Sequence, residues 1–216
     1  MNRKYKIFGM TFILLVTLSS ITAMAASASR APNQHTSAPV TTHPSQGPVT
    51  VIDGATARMH SNDDGIVVIM ATKQLDKMHA DTLWVITINR PDLCLTSPCT
   101  PEDILKRTDI VDANVVYGGG RVVRGNITSF MSYLPVGEVD GGWFDNDFVN
   151  PRGAEVHLVV NDHGPLIPEL AREMTSTYRA GCTDASIPTA FPPTAYADGT
   201  PGPNQCRLVQ VAIFQQ

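Results

Sequence analysis

From about residue 50 onward, short apolar runs rich in Val, Ile and Thr recur along the chain, separated by clusters of Gly, Pro, Asn and Asp. Such runs predict β-strands, since branched side chains pack well on a pleated surface and the intervening residues favour turns. The runs are Thr50–His60 with a break at Gly54, Gly65–Thr72, Asp81–Asn89, Ile110–Tyr117, Arg121–Leu134 with a bulge at Gly125, Ala154–Val160 and Cys206–Phe214. Seven or so strands punctuated by turns predict an all-β fold, a mostly antiparallel sandwich or barrel. Two stretches have helical character. Thr100 as N-cap, Pro101 at the first helical position and Asp103 as capping partner predict a short helix in "TPEDILKR". Helix formers after Pro168, with Gly181 as a stop, predict another to about Tyr178.

The N-terminal residues follow a different pattern. Arg3, Lys4 and Lys6 precede a mostly apolar stretch, Ile7–Ile21, and Ala23-Met24-Ala25 supplies small residues for cleavage. Residues 1–25 therefore read as an export signal. No cysteine stands at the cleavage site to carry a lipid, and no later stretch is apolar enough to span a bilayer, so no transmembrane anchor is expected after cleavage. Residues 26–47 are Ser, Thr, Pro and Ala with His35 and His43 and almost no large apolar residue. That composition predicts a disordered leader, because it buries too little to offset its ordering entropy. Residues 48–216 are then one β-sandwich domain by size.

Removing the three basic residues of the signal changes the count from 16 Lys and Arg against 20 Asp and Glu to 13 against 20, a net charge of about −7. An acidic chain without a basic cluster lacks the footprint of a nucleic-acid binder. Four cysteines allow three pairings. Cys94 with Cys99 and Cys182 with Cys206 is preferred, since each pair then closes one loop. Zinc held by four thiolates would need two closely spaced pairs, and only the first pair is close.

The segment "AEVHLVVNDHGP", residues 154–165, carries the densest candidate chemistry. Strand periodicity puts Val156, Leu158 and Val160 on a core face, with Glu155, His157, Val159 and Asn161 opposite. His163 would join the second face only if the strand continued through "NDHGP", which reads as a turn. One reading makes His157 a strand residue bonded to Glu155 or a carbonyl, with His163 capping the turn. The other gathers His79, Glu155, His157 and His163 around copper or zinc, with His60 as a further ligand. No dense motif such as H-E-x-x-H is present. Nucleophilic catalysis lacks a G-x-S-x-G elbow, and every cysteine has a disulfide partner available. "DGGWFDNDF" places Asp140, Asp145 and Asp147 near Trp143 and Phe144, which could suit sugar stacking or calcium but reads first as a solvated acidic hairpin tip. Gly118–Gly120 reads as a turn joining two strands, without the helix N-terminus of a phosphate site.

"HADTLWVITINRPDLC", "PCTPEDI", "VVYGGGRVVRGN" and "NPRGAEVHLVVNDHGP" with a later Gly-Cys resemble a group of secreted bacterial β-rich proteins of unassigned function. The resemblance covers about Ala57 to Cys182, and its most specific part is the NPxGAEVHLVVxxHGP-like segment. It implies export and a disulfide-stabilised β domain, and it transfers no site residue. A second likeness, to chordin-type CHRD domains, is one of fold alone. The combined expectation is a secreted or periplasmic, non-catalytic binding or structural protein whose partner is a small molecule, a glycan or an envelope protein. The alternative is a copper or zinc protein, or a metal-dependent redox enzyme, built on the His/Glu cluster.

Overall fold

Strand β8 (Glu155–Pro165) fixes the architecture, because all but its last residue is buried and side chains leave it toward two separate apolar layers. In the computed structural model, which describes residues 32–215, β8 lies in a five-stranded antiparallel sheet of order β2-β9-β8-β5-β6. Its companions are β2 (Thr41–Thr42), β9 (Arg207–Phe214), β5 (His79–Ile88) and β6 (Ala113–Val122). A four-stranded antiparallel sheet of order β1-β3-β4-β7 faces it, built from β1 (Gln34–Ala38), β3 (Thr56–Asn62), β4 (Gly65–Thr72) and β7 (Thr128–Pro135). The two sheets form an open sandwich, so the barrel alternative does not hold.

The core between the sheets follows strict alternation. Ile66, Val68 and Met70 of β4 and Phe130 and Leu134 of β7 meet Leu83 and Val85 of β5 and Val156, Leu158 and Val160 of β8. The outer face of the four-stranded sheet is wet, with Met131 and Tyr133 exposed on β7. The outer face of the five-stranded sheet is covered instead. Three connections fold back over it: residues 89–112 with α1 (Pro101–Lys106) and α2 (Thr108–Val111), residues 136–154, and residues 166–206 with α3 (Ala171–Met174). A second apolar cluster results, in which Trp84, Val115, Trp143, Tyr178 and Ile187 pack above the sheet. Strands buried on both faces read as continuous apolar runs rather than alternating ones, which is the pattern of "TLWVITI" in β5.

Disulfides Cys94–Cys99 and Cys182–Cys206 tie down this covering layer. The second spans 24 positions of sequence, and in the chain-entropy account such a closure stabilises by about 3 kcal/mol. Buried asparagines pin the connections as well. Asn89 donates to the Asp147 carbonyl at 2.7 Å and accepts from the backbone N–H groups of Val149 and Asn150 at 3.0 Å. Asn114 donates to the Asn146 carbonyl at 2.7 Å. Each amide side chain thus stands in for a strand partner that the loop lacks.

Several sequence expectations need correction. Part of the expected leader, residues 34–46, is ordered: β1 pairs with β3, β2 pairs with β9, and Ala38 and Val40 reach the core. A polar segment can form an edge strand because its backbone bonds to the sheet even where its side chains bury little. The sandwich therefore begins before residue 48. The export segment lies outside the described residues, as does the start of the leader. The run at 121–134 is split, with β6 ending at Val122 and β7 starting at Thr128. Gly118–Gly120 lies inside β6 rather than in a turn. A register shift against Leu83 and Trp84 falls there, and a Cβ on Gly120 would meet the Thr175 carbonyl oxygen at 2.2 Å. Close approach by the covering layer is what requires glycine. The expected helix after Pro168 is a 3-10 turn and the single turn α3, because residues 175–181 are drawn into the covering layer. α1 forms as expected, the Thr100 N–H donating to Asp103 at 3.1 Å.

The register of β7 predicts a sharp contrast between neighbours. Phe130 is 1% exposed and Met131 is 69% exposed. Phe130→Ala should cost about 3–5 kcal/mol in urea denaturation, and Met131→Ala about 0.5 kcal/mol or less.

Candidate functional site

The covering layer does not close completely over the five-stranded sheet. A cleft of 580 Å³ remains, open to solvent beside α1. Its floor is two rungs of the sheet: Ile86, His157 and Ile213 lie opposite one another across β5, β8 and β9, and Trp84, Val159 and Val211 form the adjacent rung. Ile104 and Leu105 of α1 and the segment from Pro98 to Pro101 form one wall. Trp143, Tyr178 and Phe191 form the other, their rings 5.0–5.4 Å apart at the centroids, the separation of edge and tilted aromatic pairs. His43 and Ser45 stand at the rim, where the Ser45 N–H donates to His43 Nδ1 at 3.2 Å in a local cap.

His157 is the polar member of this floor. Its Nε2 lies 2.6 Å from Glu155 Oε1, which also accepts the Cys99 N–H at 2.7 Å. A carboxylate oxygen already accepting one hydrogen bond takes the imidazole as a second donor, so Nε2 carries a proton, and in the neutral ring Nδ1 is the acceptor. Both residues are buried. The Cys94–Cys99 loop thus fixes Glu155, and Glu155 fixes the ring. Trp84 presents only its ring to the cleft, because its indole N–H donates to Thr82 Oγ1 at 2.9 Å.

The four residues expected around one metal ion occupy three places. Glu155 and His157 form the pair at the cleft floor. His163 does not cap a turn, since β8 continues to Pro165. Its Nδ1–H donates to the Ala180 carbonyl at 2.8 Å, and Nε2 accepts from Thr82 at 2.9 Å, anchoring the segment that carries Cys182. Burial holds the His163 imidazole below its ordinary pKa. The sulfurs of Cys182 and Cys206 lie near it, but they are joined in a disulfide and offer no thiolate. His157 and His163, six residues apart on one strand, are about 20 Å apart along it. His79 lies at the far end of β5, its Nδ1–H donating to Asp162 at 2.9 Å. The expected single cluster therefore does not converge. His60 pairs instead with His35 across β3 and β1, on the exposed face.

The aromatic pair of the acidic loop is placed differently from its expected role. Trp143 is 8% exposed, its ring turned into the aromatic wall, so it is not a surface platform for a sugar. Sequence reasoning missed the cleft itself. Its signal was present in β5, where Trp84 and Ile86 alternate with Leu83 and Val85: apolar side chains on both faces require cover on both. Also missed was a carboxylate group beyond the cleft. Asp81 lies directly opposite Asp162 in the β5–β8 register, with Asp76 nearby and Arg207 reaching both Asp76 and Asp162. Burial, then the facing carboxylates of Asp162 and Asp76, push the Asp81 carboxyl up to about 8 against a partial offset from Arg207.

Comparison with protein-family models, curated proteins and solved structures finds no match for this chain.

The shifts of His163 and Asp81 give stability a predictable pH dependence. His163 is held neutral in the fold, so unfolding takes up a proton below the unfolded pKa of about 6.5 and stability falls as pH drops there. Asp81 has the opposite sign: its folded pKa is raised, so stability falls as pH rises from about 4 to about 8. Between pH 6.5 and 8 the His163 contribution is flat and that of Asp81 remains. Urea denaturation in chelator-treated buffer should show stability declining across that interval, and Asp81→Asn should remove the decline.

Proposed function

We propose that the protein is a binding module whose cleft over the five-stranded sheet takes a small, mostly apolar molecule carrying one hydrogen-bond donor. The observation that carries this reading is the isolated imidazole on an apolar floor: His157 is oriented by Glu155, and its Nδ1 lone pair is the polar feature among Trp84, Ile86, Val159, Val211 and Ile213. At 580 Å³ the cleft falls within the range of roughly 300–1,000 Å³ occupied by small-molecule sites. A ligand would gain from transfer of its apolar surface, and its hydroxyl would set the orientation by donating to Nδ1. One polar contact suits recognition. Acyl or phosphoryl transfer would require further donors aimed at a developing charge, and alkyl and aromatic carbon fill those positions on the floor.

The same proposal places the protein outside the cytoplasm, in the periplasm or secreted. Two disulfides support it, since such bonds persist in oxidising compartments. No helix among the described residues is long and apolar enough to cross a membrane. The resemblance of residues 57–182 to secreted bacterial β-rich proteins belongs with this proposal and supplies no ligand of its own. Of the partner classes considered, the apolar lining favours a small molecule over a glycan, whose hydroxyls would find few partners here.

Both tryptophans of the chain line the cleft, so their fluorescence reports binding directly. Decan-1-ol should shift the emission saturably and bind more tightly than its methyl ether by about fivefold, the worth of one hydrogen bond. His157→Phe should abolish that difference, and Ile213→Trp, which fills the floor, should abolish binding of both. Failure of either probe to bind, or binding unaffected by Ile213→Trp, would refute the reading.

A further inference from the structure

At the end of the sandwich remote from Glu155, β5 and β8 bring acidic side chains into an unusual setting. Asp81 and Asp162 are direct partners in the antiparallel register. Asp81 precedes the inward-facing Leu83 by two positions, so the strand's alternation points it between the sheets. It is 1% exposed, and neither of its carboxylate oxygens accepts a hydrogen bond from any described residue. A buried carboxylate without a donor is costly, and a second carboxylate facing it adds to the cost, so without an ion Asp81 holds a proton against Asp162. A cation in place of that proton would neutralise both carboxylates.

We propose that Asp76, His79, Asp81 and Asp162 form a divalent-cation site that takes a first-row transition ion with oxygen-rich coordination, such as Mn²⁺. Ligand atoms of Asp76, His79 and Asp162 lie within 4.8 Å of one another. His79 Nδ1 and Asp162 Oδ1 are 2.9 Å apart. Two donors about 2.1 Å from an ion and at right angles to each other are about 3.0 Å apart, so this edge fits an octahedral ion without rearrangement. On loading, the His79 proton moves from Nδ1 to Nε2 through solvent, so the neutral ring turns its Nδ1 lone pair to the metal, and Asp81 gives up its proton to solvent. Asp162 is already held in place by the Gly164 N–H at 2.7 Å. Asp81 stands opposite Asp162 outside that three-residue cluster and would join the ion from the buried side by turning its carboxylate, while Asp76, which is exposed, is the outermost ligand, leaving a path in from solvent. Three carboxylates and one imidazole are a hard donor set with a single nitrogen, better matched to Mn²⁺ than to ions that favour thiolate.

Arg207 is the group that faces these carboxylates in the absence of an ion. Its guanidinium lies 2.9 Å from Asp76 Oδ2 and 3.4 Å from Asp162 Oδ2. Its side chain is half exposed, so it can withdraw to water at small cost when an ion enters. It does not reach Asp81 by any hydrogen bond, so it offsets the buried carboxyl only in part. This site is separate from the apolar cleft, and its failure or success leaves the binding proposal untouched.

Titration calorimetry of the chelator-treated full chain with MnCl₂ at pH 7, together with thermal denaturation, tests the site. One equivalent should bind and raise the melting temperature. Asp81→Asn and His79→Ala should each weaken binding by about tenfold or more, while a His35→Ala/His60→Ala double variant should bind as the parent does. His79 is partly exposed, so its replacement keeps the test valid even if Asp81→Asn folds poorly. Absence of binding at millimolar MnCl₂ would overturn the proposal. So would binding that survives both substitutions or is lost in the His35/His60 variant.

Discussion

A sheet that is apolar on both faces is the constraint from which the rest of this structure follows. β5, β8 and β9 send Leu83, Val85, Val156, Leu158 and Phe214 into the sandwich, and on the other side they send Trp84, Ile86, Val159 and Val211 outward. The four-stranded sheet can cover only the first set. The second must be shielded by chain that belongs to no sheet, and that demand explains the long connections, their two disulfides and their buried asparagines. Loops cover a flat surface less completely than a sheet does, because their backbones must find hydrogen-bond partners as well as pack. The remaining gap is the cleft, so the candidate site is a consequence of the fold's second layer.

Both candidate sites depend on polar groups spaced along one strand. At one end of β8, Glu155 ties the Cys94–Cys99 loop to His157 and so sets an imidazole into an apolar floor. At the other, Asp162 meets Asp81, His79 and Arg207. Next to Asp162, His163 serves the architecture, holding the Ala180 carbonyl and with it the start of the Cys182–Cys206 loop. The polar residues of this largely apolar ribbon therefore fall into three roles, set by which neighbours they reach.

Much of this was legible in the chain. The inward row of Val156, Leu158 and Val160, the adjacency of Glu155 and His157 and the capped helix at Thr100 follow from period and turn chemistry, and the structure has the disulfide pairing that loop closure favoured among three open ones. What failed to read shares one cause: residues whose role depends on a partner distant in sequence. Gly118–Gly120 resembles a turn until Thr175 is known to press on it. Residues 34–38 resemble a leader until the open edge of β3 is available to them. Asn89 and Asn114 resemble loop residues until the loop they hold is in place. The Asp81–Asp162 pair is invisible locally, since only the register of β5 against β8, shifted between His79 and Asp81, brings the two together. The continuous apolar run of β5 was the one available pointer to the second layer.

The central claim is that the exposed part of the five-stranded sheet's outer face is where a ligand sits. Methyl-resolved NMR during titration with an apolar alcohol tests it most directly. The account predicts that shifts and intermolecular contacts fall on the methyls of Ile86, Val159, Val211 and Ile213, with those of Ile66, Val68 and Leu158 in the inter-sheet core unmoved. Contacts confined to the wet face of the other sheet, around Val67, Ile69 and Met131, would contradict it.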